Sequence, residues 1–219
     1  GETTMANQST TGFGFRAAER LGNTPSIGGQ AKYQLQTAPG VALMKNDPAS
    51  IQDAGNQGFI QDASFATTDD GGTGGAAYNS TNHAKLVGVL NGFFFIDGTT
   101  LKPTFANSVA ASQAFGTNPN TGNTNGIAFV NNDPYQSYIC KADAAVPQAE
   151  QNDLAFNCNN NGGTSKDGQS VVTLEMGSAN AATSMFTIIG VAEDPENEDI
   201  TAEGCNVTVV MAAAARLYG

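Results

Sequence analysis

The sequence predicts an all-β fold, a jelly-roll-like sandwich or barrel with an extended N-terminal arm and long polar loops, and three observations predict it. Charged residues make up only 13% of the 219, too few to clothe long helices. Twenty-six Gly and eight Pro cut the chain into short pieces. Between those cuts the apolar residues fall in strand-length runs rich in Val, Ile, Phe and Tyr, several alternating at the period of two that a pleated strand requires. A chain of this length suits one all-β domain.

The elements follow in chain order. Residues 1–30 show no sustained periodicity: Phe13, Phe15 and Ile27 stand isolated among Gly, Thr, Ser and Pro. A helix through FRAAERL is limited to about two turns by glycine on both sides. Such a segment cannot bury enough of itself to fold alone. It is expected as an extended arm ordered on another surface, leaving 31–219 as a single β domain. Strands are then expected at 31–37, 41–45, 58–66, 85–96, 126–130, 136–142, 170–176, 184–192 and 206–212. KYQLQ and NVTVV alternate and predict one wet face. KLVGVLNGFFFI is apolar on both faces, which predicts a central strand or one whose outer face meets a partner. Polar loops at 67–82, 112–125 and 157–169 exceed the usual connection length and predict display or contact with neighbouring copies. The terminal MAAAARLYG is expected as a strand running into a tail.

Three corners share one device, an Asp-Pro after an Asn, Asn or Glu: KNDPA, NNDPY and AEDPE, centred on Asp47, Asp133 and Asp194. Proline presets φ and drives the preceding residue out of helical geometry, while Asp hydrogen-bonds its own turn. The corners are expected as strand-ending architecture rather than as an aspartate site.

Composition excludes several classes. A net charge of −11 argues against nucleic acid or an anionic membrane as partner. The charge is uneven: residues 1–45 carry four basic and two acidic residues, the rest five basic and eighteen acidic. No apolar run reaches the roughly 20 residues that span a bilayer. The single histidine, His83, is the only centre for a Ser-His-Asp arrangement, and no GxSxG elbow accompanies it. DDGGTGGAA lacks the Lys-Ser/Thr ending of a phosphate loop. EDPENED and Asp69–Asp70 offer oxygen ligands, yet no calcium-loop spacing is present, and a solvated acidic corner is expected. The expectation is a non-enzyme with no cofactor and no metal. Cys140, Cys158 and Cys205 form no CxxC pair and are expected as reduced, buried thiols, with Cys140–Cys158 the pair if one forms. For sugar binding the chain has no Trp, leaving Tyr78, Tyr135 and Tyr138 as stacking platforms.

MANQSTTGFGFRAAERLG followed by AKYQL resembles the opening of head decoration (capsid cement) proteins of tailed bacteriophages. GVLNGFFFIDGTTLKPTFAN and IAFVNNDPYQSYICKAD resemble a group of marine phage virion proteins. The resemblance implies a structural protein on the virion surface, assembled in the host cytoplasm. It would bind the outside of the capsid shell and stabilise it; the expected partners are the major capsid protein and other copies of itself, with a trimer at a local three-fold axis as the expected oligomer. On that reading Phe13, Phe15, Arg16 and Arg20 of the arm clamp a neighbouring subunit, the phenylalanines filling gaps and the arginines pairing with carboxylates. The alternative is a glycan- or host-surface-binding β module of a virion.

Overall fold

A computed structural model describes residues 7–22, 29–52, 58–63, 86–152, 154–159, 168–178 and 184–217. Among them the strands are β1 Arg16–Arg20, β2 Ala31–Leu35, β3 Leu43–Met44, β4 Pro48–Ile51, β5 Ile60–Asp62, β6 Leu86–Ile96 and β7 Pro103–Ala106. They continue with β8 Ser108–Val109, β9 Gly126–Asn131, β10 Gln136–Lys141, β11 Ala155–Asn159, β12 Thr173–Glu175, β13 Phe186–Val191 and β14 Asn206–Met211. The first sheet runs β1-β10-β14-β13-β11-β12 and the second β2-β9-β6-β4-β5 with β7 also on β6, while β3 and β8 form a ribbon. Every pairing between these strands is antiparallel. The all-β expectation holds, as packed antiparallel sheets rather than a closed barrel.

β6 explains the layering. Leu86 and Val89 join Phe15, Tyr138, Phe156, Phe186, Ile188 and Val209 in the core beneath the first sheet. Val87, Leu90, Phe93 and Phe95 enter a second core with Ala128 and Val130 of β9, closed by Leu43 and Val109 of the ribbon and by Phe115. The register shifts between Leu90 and Gly92, which puts Phe93 and Phe95 on the face of Leu90. Doubly apolar β6 is therefore a central strand buried on both faces within its own chain. Phe95 stacks on Phe115 with ring centroids 4.6 Å apart, which pins the start of the 112–125 loop.

Several expectations change. FRAAERL is an edge strand rather than a short helix, because Arg16, Ala17 and Arg20 find ladder partners in Ile139, Tyr138 and Gln136. The predicted 41–45 strand shrinks to two residues, and the corner after it leads directly into β4, whose first residue is Pro48, the position where a strand tolerates a missing N–H. β4, β7, β8 and β11 lie where no strand is expected from sequence. The C-terminal segment makes a short 3-10 turn at Ala213–Ala215 in place of a strand running into a tail. The 67–82 loop, His83, Asp69, Asp70 and Tyr78 lie outside the described residues, as does 160–167. Among the described residues no helix is long and apolar enough to cross a membrane.

Candidate partner-binding corner

The four residues expected to clamp a neighbour divide into three fates. Phe15 is fully buried, its ring stacked on Phe186 at 4.2 Å and 14° between planes. It is a core residue, and this corrects its expected role as an outward contact: the largest apolar gain open to it lies inside its own domain. The backbone follows, with Phe15 N–H donating to Asn46 O at 2.9 Å and Gly14 N–H to Val172 O at 3.1 Å. The described part of the expected arm is thus built into the β domain, with Arg16–Arg20 as its edge strand. Phe13 is partly exposed and lies under the Arg16 guanidinium, 4.2 Å from ring centroid to Cζ, with Lys141 Nζ at 5.8 Å. Arg16 therefore covers an internal aromatic, although it remains exposed.

Arg20 differs. At the end of β1 its Nε lies 2.8 Å from Asp133 Oδ2, close enough for an ion pair although the N–H is not aimed at the oxygen. Its guanidinium also sits 5.8 Å from the ring centre of Tyr135. Arg216 approaches the same ring at 5.6 Å, with Nε and Nη2 donating to Met211 O at 3.0 and 2.8 Å. Tyr135 is 51% exposed. Two neighbours extend the patch: Leu21, whose N–H donates to Tyr135 O at 2.9 Å, and Leu217, whose N–H donates to Leu86 O at 2.9 Å. Among the described residues the exposed large apolar side chains are Leu21, Tyr135, Leu217, Leu101 and Phe105, so three of them gather at this corner with two of the chain's three arginines.

The fold makes this convergence. β10 begins at Gln136 and lies between β1 and β14. The Asp133-Pro134-Tyr135 corner therefore emerges between the end of β1, which brings Arg20 and Leu21, and the segment after β14, which brings Arg216 and Leu217. Tyr135 N–H donates to Asp133 Oδ1 at 2.9 Å and Gln136 N–H to Asp133 O at 3.1 Å, so the Asp holds the turn that presents the tyrosine. Ser137 Oγ and Gln136 Nε2 both donate to Glu19 O, fastening β1 to the same corner. Arg216 carries no local signal in sequence, sitting in a run of alanines; only its contact with Tyr135 marks it.

The other two Asp-Pro corners do not join it. Asp194 accepts from Glu196 N–H at 3.1 Å and from Asn197 and Asn206 side chains at 3.3 and 2.6 Å. Asp47 is buried and accepts from Met44 N–H at 2.7 Å; burial first and nearby Asp62 second hold its pKa well above the ordinary carboxylate range. All three aspartates cap turns. Among the described residues no group of three or more His, Cys, Asp or Glu is placed to hold a metal ion. The three cysteines are free and buried, and burial raises each thiol, Cys205 to about 11. Tyr138 is fully buried with its hydroxyl donating to Asn131 O at 3.0 Å, which removes it as a stacking platform. Lys141 is buried too, donating to Asn197 Oδ1 at 3.3 Å and Gly204 O at 3.0 Å, and burial lowers its pKa.

Beside the corner a groove of about 440 Å³ crosses the outer face of the first sheet, lined by Arg20, Leu21, Ile139, Ile189, Val191 and Glu193 among others. Chemically the corner offers an exposed aromatic flanked by guanidiniums and apolar side chains, a combination suited to a carboxylate-bearing, partly apolar partner surface. Set against protein-family models, curated proteins and solved structures, the chain matches none.

Proposed function

We propose that this chain is a non-enzymatic structural protein of a virion, binding the outer surface of a phage capsid shell and stabilising it, with the Arg20–Tyr135–Arg216 corner as its contact with the major capsid protein. The single observation that carries the contact is the convergence of two arginines, an exposed tyrosine and two leucines on a chain of net charge −11. Tyr and Arg are the residue types that dominate interface energetics. On an acidic body, a local basic-aromatic patch selects an acidic partner surface. The N-terminal segment that resembles decoration proteins and the central segments that resemble phage virion proteins supply the identity of the partner. Of the residues first assigned to that contact, Arg20 keeps the role and Phe15 leaves it. Localisation on the virion surface follows from the same reading.

The test is binding to purified shells that lack the protein, followed by cosedimentation. The parent chain is expected to bind saturably, with affinity falling as salt rises. Tyr135→Ala and Arg216→Glu are expected to weaken binding by about tenfold or more each. Binding unchanged in both variants would sink the assignment of the corner, and no binding by the parent would sink the shell role.

A second reading, a glycan-binding module, is favoured by one feature, the 51% exposure of Tyr135. It requires glycan-array signal that Tyr135→Ala abolishes while shells remain bound.

A further inference from the structure

The second sheet carries a feature that the corner leaves unused. By register, Gln34 of β2, Ile127 of β9, Phe94 of β6 and Phe105 of β7 are successive cross-strand neighbours, so their side chains share one face. Phe105 is 76% exposed and touches Phe94 at 4.8 Å between ring centres. Leu101, in the turn joining β6 to β7, is 68% exposed, and Lys102 beside it is exposed, as is Lys32 one row along the same sheet. This hairpin is a preformed knob. Asp97 Oδ1 accepts from Thr100 N–H, Thr100 Oγ and Thr99 N–H at 2.7, 2.9 and 3.0 Å, which fixes the turn and holds the Asp97 carboxyl below its ordinary pKa. An apolar projection held rigid in water, with Lys102 exposed beside its tip, has the features of a docking element.

The groove on the first sheet has the complementary character. Its floor carries Ile139 of β10, Thr208 of β14 and Ile189 of β13, and its rims carry exposed Glu19 and Glu193. Arg20 at the same edge is paired with Asp133. The floor belongs to the side of the first sheet opposite Tyr138, Cys140 and Ile188, which face the core, so the groove looks away from the second sheet. A molecule therefore cannot place its own hairpin in its own groove.

We infer that the β6–β7 hairpin, through Leu101, Lys102 and Phe105, seats in the first-sheet groove of a second copy of this chain. The contact is heterologous: each copy offers a hairpin to one neighbour and a groove to another. Such contacts close into rings or extend as open chains, according to the rotation between neighbours. The residues that decide the pairing are the apolar knob against Ile139 and Ile189, and Lys102 against the glutamates of the rim.

The inference stands apart from the shell reading, because its test uses the purified chain alone. Sedimentation velocity over rising concentration is expected to show reversible association of the parent. Phe105→Glu is expected to weaken it by at least about tenfold, with the thermal midpoint unchanged because the side chain is exposed. Lys102→Glu and Glu193→Lys are each expected to weaken association, and an equimolar mixture of the two is expected to regain it, since the opposite charges meet again in the mixed assembly. A sedimentation coefficient that stays monomeric up to the solubility limit would overturn the proposal. So would association by Phe105→Glu equal to the parent, or a charge-swapped mixture that associates no better than its components.

Discussion

Replacing Phe15 with alanine separates a built-in N-terminal strand from an arm reaching for a neighbour. In the structure the Phe15 ring is fully buried, stacked on Phe186 at 4.2 Å and sharing a core with Tyr138 and Leu86. Removing a buried phenylalanine from a well-packed core costs about 3–5 kcal/mol, the transfer of the ring plus the cavity left behind. About 4 kcal/mol is a large share of the roughly 5–15 kcal/mol that holds a domain together. At about 2–4 °C per kcal/mol for a chain of this size, the thermal midpoint should fall by roughly 8–16 °C. Differential scanning calorimetry of the isolated protein measures it, and a double-mutant cycle with Phe186→Ala reads the coupling, expected at about 0.5–1.5 kcal/mol for a stacked pair. Phe13→Ala is the internal control: partly exposed under Arg16, it should cost no more than about 1–2 kcal/mol. A loss below about 1 kcal/mol for Phe15→Ala would refute the placement of this segment in its own core. By the same logic, removal of residues 1–30 deletes β1 and Phe15 together and is expected to leave the first sheet unable to fold.

Three further outcomes are expected. Ionised Asp47 is disfavoured in the folded state, since burial and Asp62 raise its pKa; the cost it imposes at neutral pH is relieved as pH falls through that raised value toward the ordinary one. Asp47→Asn should therefore be more stable than the parent at pH 7 in urea titrations, with the gap closing below about pH 4; a constant gap across that range would contradict it. Gly88→Ala would drive a Cβ into the backbone carbonyl of Asn131, which has nothing flexible to yield, and should cost about 2–3 kcal/mol or more; an unchanged midpoint would show that β6 and β9 sit further apart. Cys140, Cys158 and Cys205 are buried free thiols with raised pKa values, so a thiol reagent should titrate none of them in the native protein and all three after denaturation; two thiols fewer after denaturation would reveal a disulfide.

The all-β class was legible because the relevant signals are local. Period-two runs such as NVTVV need only nearest neighbours to be read, and β14 accordingly falls within its expected span. The double apolarity of LVGVLNGFFFI predicts a central strand or one whose outer face meets a partner, and β6 is the central one, contributing side chains to both cores. The Asp-Pro corners were legible as turns for the same reason: their hydrogen bonds run within three residues. β4 was missed because proline and small residues carry little strand propensity, and only its pairing with β5 and β6 makes it a strand.

By itself, then, the sequence determined that this chain is a β protein with turn-building aspartates and an acidic body, because each of those properties is set by residues adjacent in the chain. Only the tertiary structure decided that Phe15 turns inward, that Tyr138 is a core residue while Tyr135 is a surface one, and that Arg20 and Arg216 meet over the same ring. Those outcomes depend on which strands lie side by side. The order β1-β10-β14 brings residues from the two ends of the chain to one corner, a neighbourhood that no local pattern encodes.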